Sequence, residues 1–123
     1  MSSVDRIKCS TYNNDLLRVE RVRERLSPNS THERLASVLA SLGHPVRVKI
    51  VQALCFEPLC VCELAALLAM SSPAVMHHLR TLGDAGVINA ERQGKFVVYS
   101  VLDARARNLV LSDMEPQLVG ATS

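Results

Sequence analysis

The residues with the most chemistry in them are Cys60 and Cys62, one residue apart in the stretch LCVCEL. On a regular helix two such side chains diverge by about 200° and cannot close on one ion. They converge only where the chain is extended or just entering a helix. Glu57-Pro58 supplies that interruption, because the residue before a proline is pushed out of α geometry. A disulfide between the two would be a strained tight ring, so the spacing suits coordination of a thiophilic ion. Two thiolates do not fill a coordination sphere. Cys55, beside Leu54 and Phe56, reads either as a third ligand or as a core residue, and Cys9 is a fourth ligand if the N-terminal arm folds over.

A second constellation follows in MSSPAVMHHLRTLGDAG. Read as a helix capped by Ser71 or Ser72 and stopped near Gly86, it places Val75, Leu79 and Leu82 within about 60° of one another, facing a core. His77 and Arg80 then point the other way, joined by Asp84. Hydroxyls and free backbone N–H groups at the Ser71-Ser72 end suit phosphate oxygens, and an outward His and Arg suit base edges and backbone. Two β-rich stretches, 87–91 and 96–101, flank Arg92-Gln93-Gly94-Lys95, which reads as a hairpin. Arg92 and Lys95 at its tip fit a wing that grips the flanking DNA backbone.

These groups need elements to hold them. Apolar positions 16, 19, 22 and 26 predict an amphipathic helix over Asp15 to Leu26, which Pro28 breaks. A second helix is predicted from Thr31 to Leu42, capped by Ser30 or Thr31, with Leu35, Val38, Leu39 and Leu42 on one face. Pro45 restarts a third, PVRVKIVQALCF, in the first-turn position that proline tolerates. A fourth runs from about Val61 to Ala69 with Leu64, Leu67 and Leu68 inward, and a last one from Asp103 to Leu118. Two short helices tightly joined and followed by a basic hairpin describe a winged helix–turn–helix, mainly α with a β-hairpin wing. The expected layout is a flexible arm over 1–14, the winged domain over 15–118 and a tail over 119–123.

At 123 residues and 48% hydrophobic content, one modest core is affordable. No apolar run approaches the ~18 residues of a membrane span and no signal peptide is visible, so the expected home is the cytoplasm, with no membrane partner. Four cysteines in that reducing setting point to metal or redox chemistry before a disulfide frame. The net charge of +2 permits nucleic-acid binding without demanding it. Two Phe, two Tyr and no Trp disfavour stacking platforms for single strands, and double-stranded DNA is the expected partner.

LGHPVRVKIVQAL, LCVCELAALLAMSSPAVMHHLRTLGDAGVI and RQGKFVVYSV together resemble the ArsR/SmtB family of bacterial metal-sensing repressors, over Leu42 to Val101. The family's recognition helix often reads Ser-His-x-Leu. His77 and Leu79 match, whereas Met76 stands where the hydroxyl of a DNA-facing serine is usual. The resemblance implies a homodimer with the first and last helices as its interface. It also implies a thiolate-rich site at Cys60-Val61-Cys62 followed by an acidic residue, closest to the cadmium- and lead-sensing branch. There N-terminal cysteines come from the partner subunit, so Cys9 matches, and Cys55 falls where that branch has a cysteine. The arm holds one cysteine where that branch commonly has a pair. Ala65 stands where the arsenic-sensing branch often has a further cysteine. The family's other metal site, on the last helix, is missing its histidines: Asp103 is followed two positions on by Arg105, and no His occurs after His78.

The expected function is therefore a repressor that binds operator DNA as a metal-free homodimer and leaves it when Cd(II), Pb(II) or As(III) binds Cys9, Cys55, Cys60 and Cys62, with Zn(II) a further candidate effector. The rival reading keeps the fold and makes cysteine oxidation or persulfidation the signal. A small thiol enzyme is disfavoured, since neither a Cys-x-x-Cys turn nor a glycine-rich anion cradle is present.

Overall fold

A computed structural model of the chain describes residues 16–112. The expected arm with Cys9, the end of the last helix and the tail lie outside the described residues. The chain divides into two units, Met1–His32 and Glu33–Ser123. In the first, α1 (Leu16–Arg25) carries Leu16, Leu17, Val19 and Val22, all exposed.

Helix α2 (Asn29–Ser41) starts two residues before the expected Thr31, with Ser30 and Thr31 inside it. The Pro28 carbonyl accepts the Thr31 and His32 N–H groups at 3.0 and 3.3 Å, so the proline backbone caps the helix in place of a hydroxyl. Helix α3 (Pro45–Phe56) has the predicted bounds. Its N-cap is His44, whose Nδ1 accepts the Val46 N–H at 3.1 Å, and it stops at Glu57, extended at φ −153°, ψ 146° ahead of Pro58.

A two-residue strand β1 (Leu59–Cys60) then leads directly into α4 (Val61–Leu68). Helix α5 (Ser72–Asp84) is capped by Ser71, whose Oγ accepts the Ala74 N–H at 3.3 Å. Strands β2 (Ile88–Gln93) and β3 (Phe96–Val101) pair antiparallel from Ile88↔Val101 to Gln93↔Phe96. The hairpin loop is thus Gly94-Lys95, shorter than the four residues expected, with Gly94 at φ +64° where a side chain is disfavoured. Helix α6 (Ala104–Leu111) begins at the Asp103 N-cap, whose carboxylate accepts the Arg105 and Ala106 N–H groups. That cap and the Arg105 side chain, at 3.1 Å, hold the Asp103 carboxyl below its usual range.

The sheet order is β1-β3-β2, so the short strand beside the cysteines is the third strand of the wing. Nothing in the residue pattern announced β1; two residues are too few for a period. The core gathers Ile50, Val51 and Leu54 of α3, Leu64 of α4, Val75, Leu79 and Leu82 of α5, and Ala106 and Val110 of α6 around Val38 and Val87. Leu35 and Leu39, expected on one face with Val38 and Leu42, are exposed, and so is Leu67, expected inward. The buried strip of α2 runs through Val38 to Leu42 just past its end, and that of α4 through Leu64. Among the described residues no helix is long and apolar enough to cross a membrane.

Gly86, after α5, has φ +75° with no heavy atom within 4 Å of an added Cβ. Gly86→Ala meets only the backbone penalty and lowers stability by about 1 kcal/mol, measured by urea unfolding.

Candidate nucleic-acid interface and thiol pair

Helix α5 is packed by Val75, Leu79 and Leu82, each 2% exposed or less. Its opposite face leaves His77, Arg80 and Asp84 open to solvent, together with Ser71 and Ser72 at its N-terminal end. Arg92 and Lys95 are exposed on the hairpin, as are Phe96 and Val97 beside them. The surface expected to meet DNA is therefore presented by one helix face and one basic loop.

Two neighbours depart from that picture. Met76 is half-buried against the core, and its Sδ accepts the Tyr99 hydroxyl of β3 at 3.7 Å. It ties the wing to α5 from the inner flank, so its position differs from the duplex-facing one the resemblance implied. His78, directly after the outward His77, is 8% exposed. It lies three residues after Val75 and four before Leu82, a spacing that marks the core stripe and was the available signal. Burial, with His44, Arg47 and His77 around it, pushes the His78 imidazole below the ordinary histidine value.

The thiols lie where strand becomes helix. Cys60 pairs with Val98 of β3 and is also the N-cap of α4, with φ −90° and ψ 171°. Cys62, at the second helical position, is exposed. The chain is thus extended at the first cysteine and entering a helix at the second, the conformation their spacing required. Glu63 accepts the Cys60 N–H at 3.0 Å, which with the nearby thiol lowers its carboxyl. Cys60 and Glu63 line a cavity of about 370 Å³ with Gln93, Phe96 and Val98 of the wing.

Cys55, at the end of α3, is half-buried against the core. Burial raises its thiol, partly offset by Arg107 of α6. Among the described residues no three His, Cys, Asp or Glu side chains are grouped to hold a metal ion. At the α4 entrance the thiols are those of Cys60 and Cys62.

Residues 44–90 match the family described as bacterial regulatory protein, arsR family. A transcriptional repressor SmtB homolog of Synechocystis sp. is 33% identical over 94 residues, covering 76% of this chain and 71% of that protein. The chain belongs to the ArsR/SmtB family. A cadmium resistance transcriptional regulatory protein CadC homolog of Staphylococcus aureus is 34% identical over 76% of this chain and 77% of its own length. For the fold, the chain is similar to the homodimeric winged helix–turn–helix DNA-binding domain Mb0332 of Mycobacterium bovis. The TM-score is 0.63 at 20% identity, over 76% of this chain and 83% of that one. This ArsR/SmtB member is accordingly a winged helix–turn–helix transcriptional regulator, with β2–β3 as its wing, and not an enzyme.

Proposed function

We propose that the chain is a metal-responsive repressor that binds operator DNA as a homodimer and is released when a thiophilic ion binds at Cys60 and Cys62. The observation that carries this reading is the double position of Cys60, in the wing sheet through Val98 and at the head of the helix that precedes the reading helix. A pull on that sulfur is felt by both parts that grip DNA. The two thiols fit Cd(II), Pb(II) or As(III), with Zn(II) as a further effector. Such an ion supplies, when bound, a cross-link between soft sulfurs.

Cys9 is proposed as a further donor, from the same subunit or its partner. Cys55 is the weakest donor of the four, since its thiol is packed on the core and raised by burial. Metal–thiolate sites provide about 10–16 kcal/mol, while a swing from 1:99 to 99:1 needs about 5.5 kcal/mol of differential binding, so geometry and not energy limits the switch.

Ser71, Ser72, His77 and Arg80 are the proposed contacts in the major groove, with Met76 supporting them from the inner flank. The exposed apolar residues of α1, with Leu109 of α6, support dimerisation through the first and last helices. A symmetric dimer reads half-sites about 34–36 Å apart. In this layout 1–14 is the arm, 15–118 the winged domain with dimer helices at both ends, and 119–123 the tail.

A gel-shift titration with Cd(II), run beside thiolate-to-metal absorption, tests the proposal. Loading is expected to release the duplex. Tighter DNA binding on loading overturns it, as does indifference to Cd(II) and Pb(II) with a response to peroxide or persulfide. Lys95→Ala and Arg92→Ala each remove one phosphate partner. Each is expected to lower the slope of log K against log salt by about 1, with sequence preference kept.

A further inference from the structure

We propose that Arg47 and His78 are positioning residues for DNA reading: the Arg47 guanidinium clips the recognition helix α5 to the end of α2 through the His78 ring. Arg47 stands in the first turn of α3, half-buried. Its Nε–H donates to the Ser41 carbonyl at 2.6 Å, and its Nη1 lies 3.3 Å from Nδ1 of His78. Ser41 is itself buried, with its Oγ donating to the Val38 carbonyl at 2.7 Å. One guanidinium therefore joins the last carbonyl of α2 to the middle of α5.

The chemistry of the pair fixes the state of the imidazole. Arginine only donates, so Nδ1 of His78 must accept, which makes the ring neutral with its proton on Nε2. The groups facing His78 agree with that state. From the head of α3 come Arg47 and His44, the latter with ring centroids 4.7 Å away, and from α5 itself comes His77 at 5.6 Å. All are cationic or become so on protonation. A proton on Nδ1 of His78 meets a guanidinium head-on and breaks the clip.

The clip supplies what the rest of the α5 interface does not. Val75, Leu79 and Leu82 hold the helix by apolar contact, which is strong but without direction. A part-buried hydrogen bond with one geometry sets rotation about the axis and position along it. His77 precedes His78 directly, and Arg80 lies two residues beyond, so a turn of α5 displaces both outward side chains. Both clip residues are away from the exposed face, and neither touches DNA in this assignment.

The inference rests on α5 being the reading helix, and Arg80→Ala run in parallel tests that reading, which keeps the two failures apart. The probes are a duplex selected from a random library by the wild-type chain and an unrelated duplex of equal length. His78→Leu keeps the apolar bulk and removes the acceptor. It is expected to weaken the selected duplex by about tenfold, the size of one hydrogen bond to a charged group, with the unrelated duplex unchanged.

His78→Asn retains an acceptor near the Nδ1 position and does not titrate; it is expected to stay within about threefold of wild type. As pH falls through the lowered His78 value, the wild type loses affinity for the selected duplex relative to His78→Asn, because only its ring takes up a proton. Nitrogen NMR of the wild-type imidazole at pH 7 should show the Nε2–H tautomer. Equal discrimination by His78→Leu overturns the proposal. So do superimposable pH profiles of wild type and His78→Asn, or a proton found on Nδ1. The last two stand even where His78→Leu fails to fold.

Discussion

Cys60→Ser is expected to abolish the proposed metal-triggered release and to leave DNA binding by the metal-free chain intact. The second half of that expectation follows from where Cys60 sits. Its ladder partner Val98 and the Glu63 carboxylate both engage its backbone, which the substitution does not change. Serine is moreover a favoured N-cap, so α4 starts at least as well with it. What disappears is one soft sulfur from a pair, and a serine hydroxyl does not replace a thiolate toward Cd(II) or Pb(II).

The swing at stake is large. A full switch reflects about 10⁴-fold differential binding, and losing it leaves a duplex that stays bound at all Cd(II) concentrations in a gel shift. Thiolate-to-metal absorption should fall in the same titration. Cys9→Ser is expected to weaken the response or alter its selectivity. Normal sensing by Cys60→Ser means the site is elsewhere.

The second large effect separates two leucines three residues apart on α4. Leu64 is fully buried in the core, whereas Leu67 is 54% exposed. Leu64→Ala opens a cavity and is expected to cost about 2–5 kcal/mol, a large share of the 5–15 kcal/mol that holds a typical domain. Leu67→Ala is expected to stay within about 0.5 kcal/mol. Urea unfolding of the two variants at one protein concentration checks the contrast, and equal losses overturn the packing described for α4.

The pH dependence of stability has a defined sign. Because the folded-state value of His78 lies below its unfolded 6.5, its contribution is present above pH 6.5 and is lost as pH falls through the lowered folded value. Asp103 acts in the more acidic range. Its lowered carboxyl contributes above the unfolded 3.8, and that contribution is lost as pH drops through the folded value.

Much of this chain was legible before any coordinates. Pro45 and Glu57-Pro58 bracket α3 at both ends, because proline restricts its own φ and that of the residue before it. The Val75, Leu79, Leu82 spacing identified the buried face of α5, and with it the outward pair His77 and Arg80. Gly94 between two β-rich stretches marked the hairpin. The requirement that Cys60 and Cys62 occupy a helix entrance came from spacing alone, and φ, ψ and the α4 boundary agree with it.

Tertiary structure decided the rest. Local propensity and period act over a few residues, so they reach helices, caps and turns. They say nothing about which of several apolar residues a neighbour will cover, and Leu35, Leu39 and Leu67 stay outside on that account. Nor do they bring Cys60 to Val98 or Arg47 to His78, pairs 38 and 31 residues apart in the chain. Such pairs form only when the packing of whole elements has already offset the entropy of closing the loops between them, and that balance is a property of the fold.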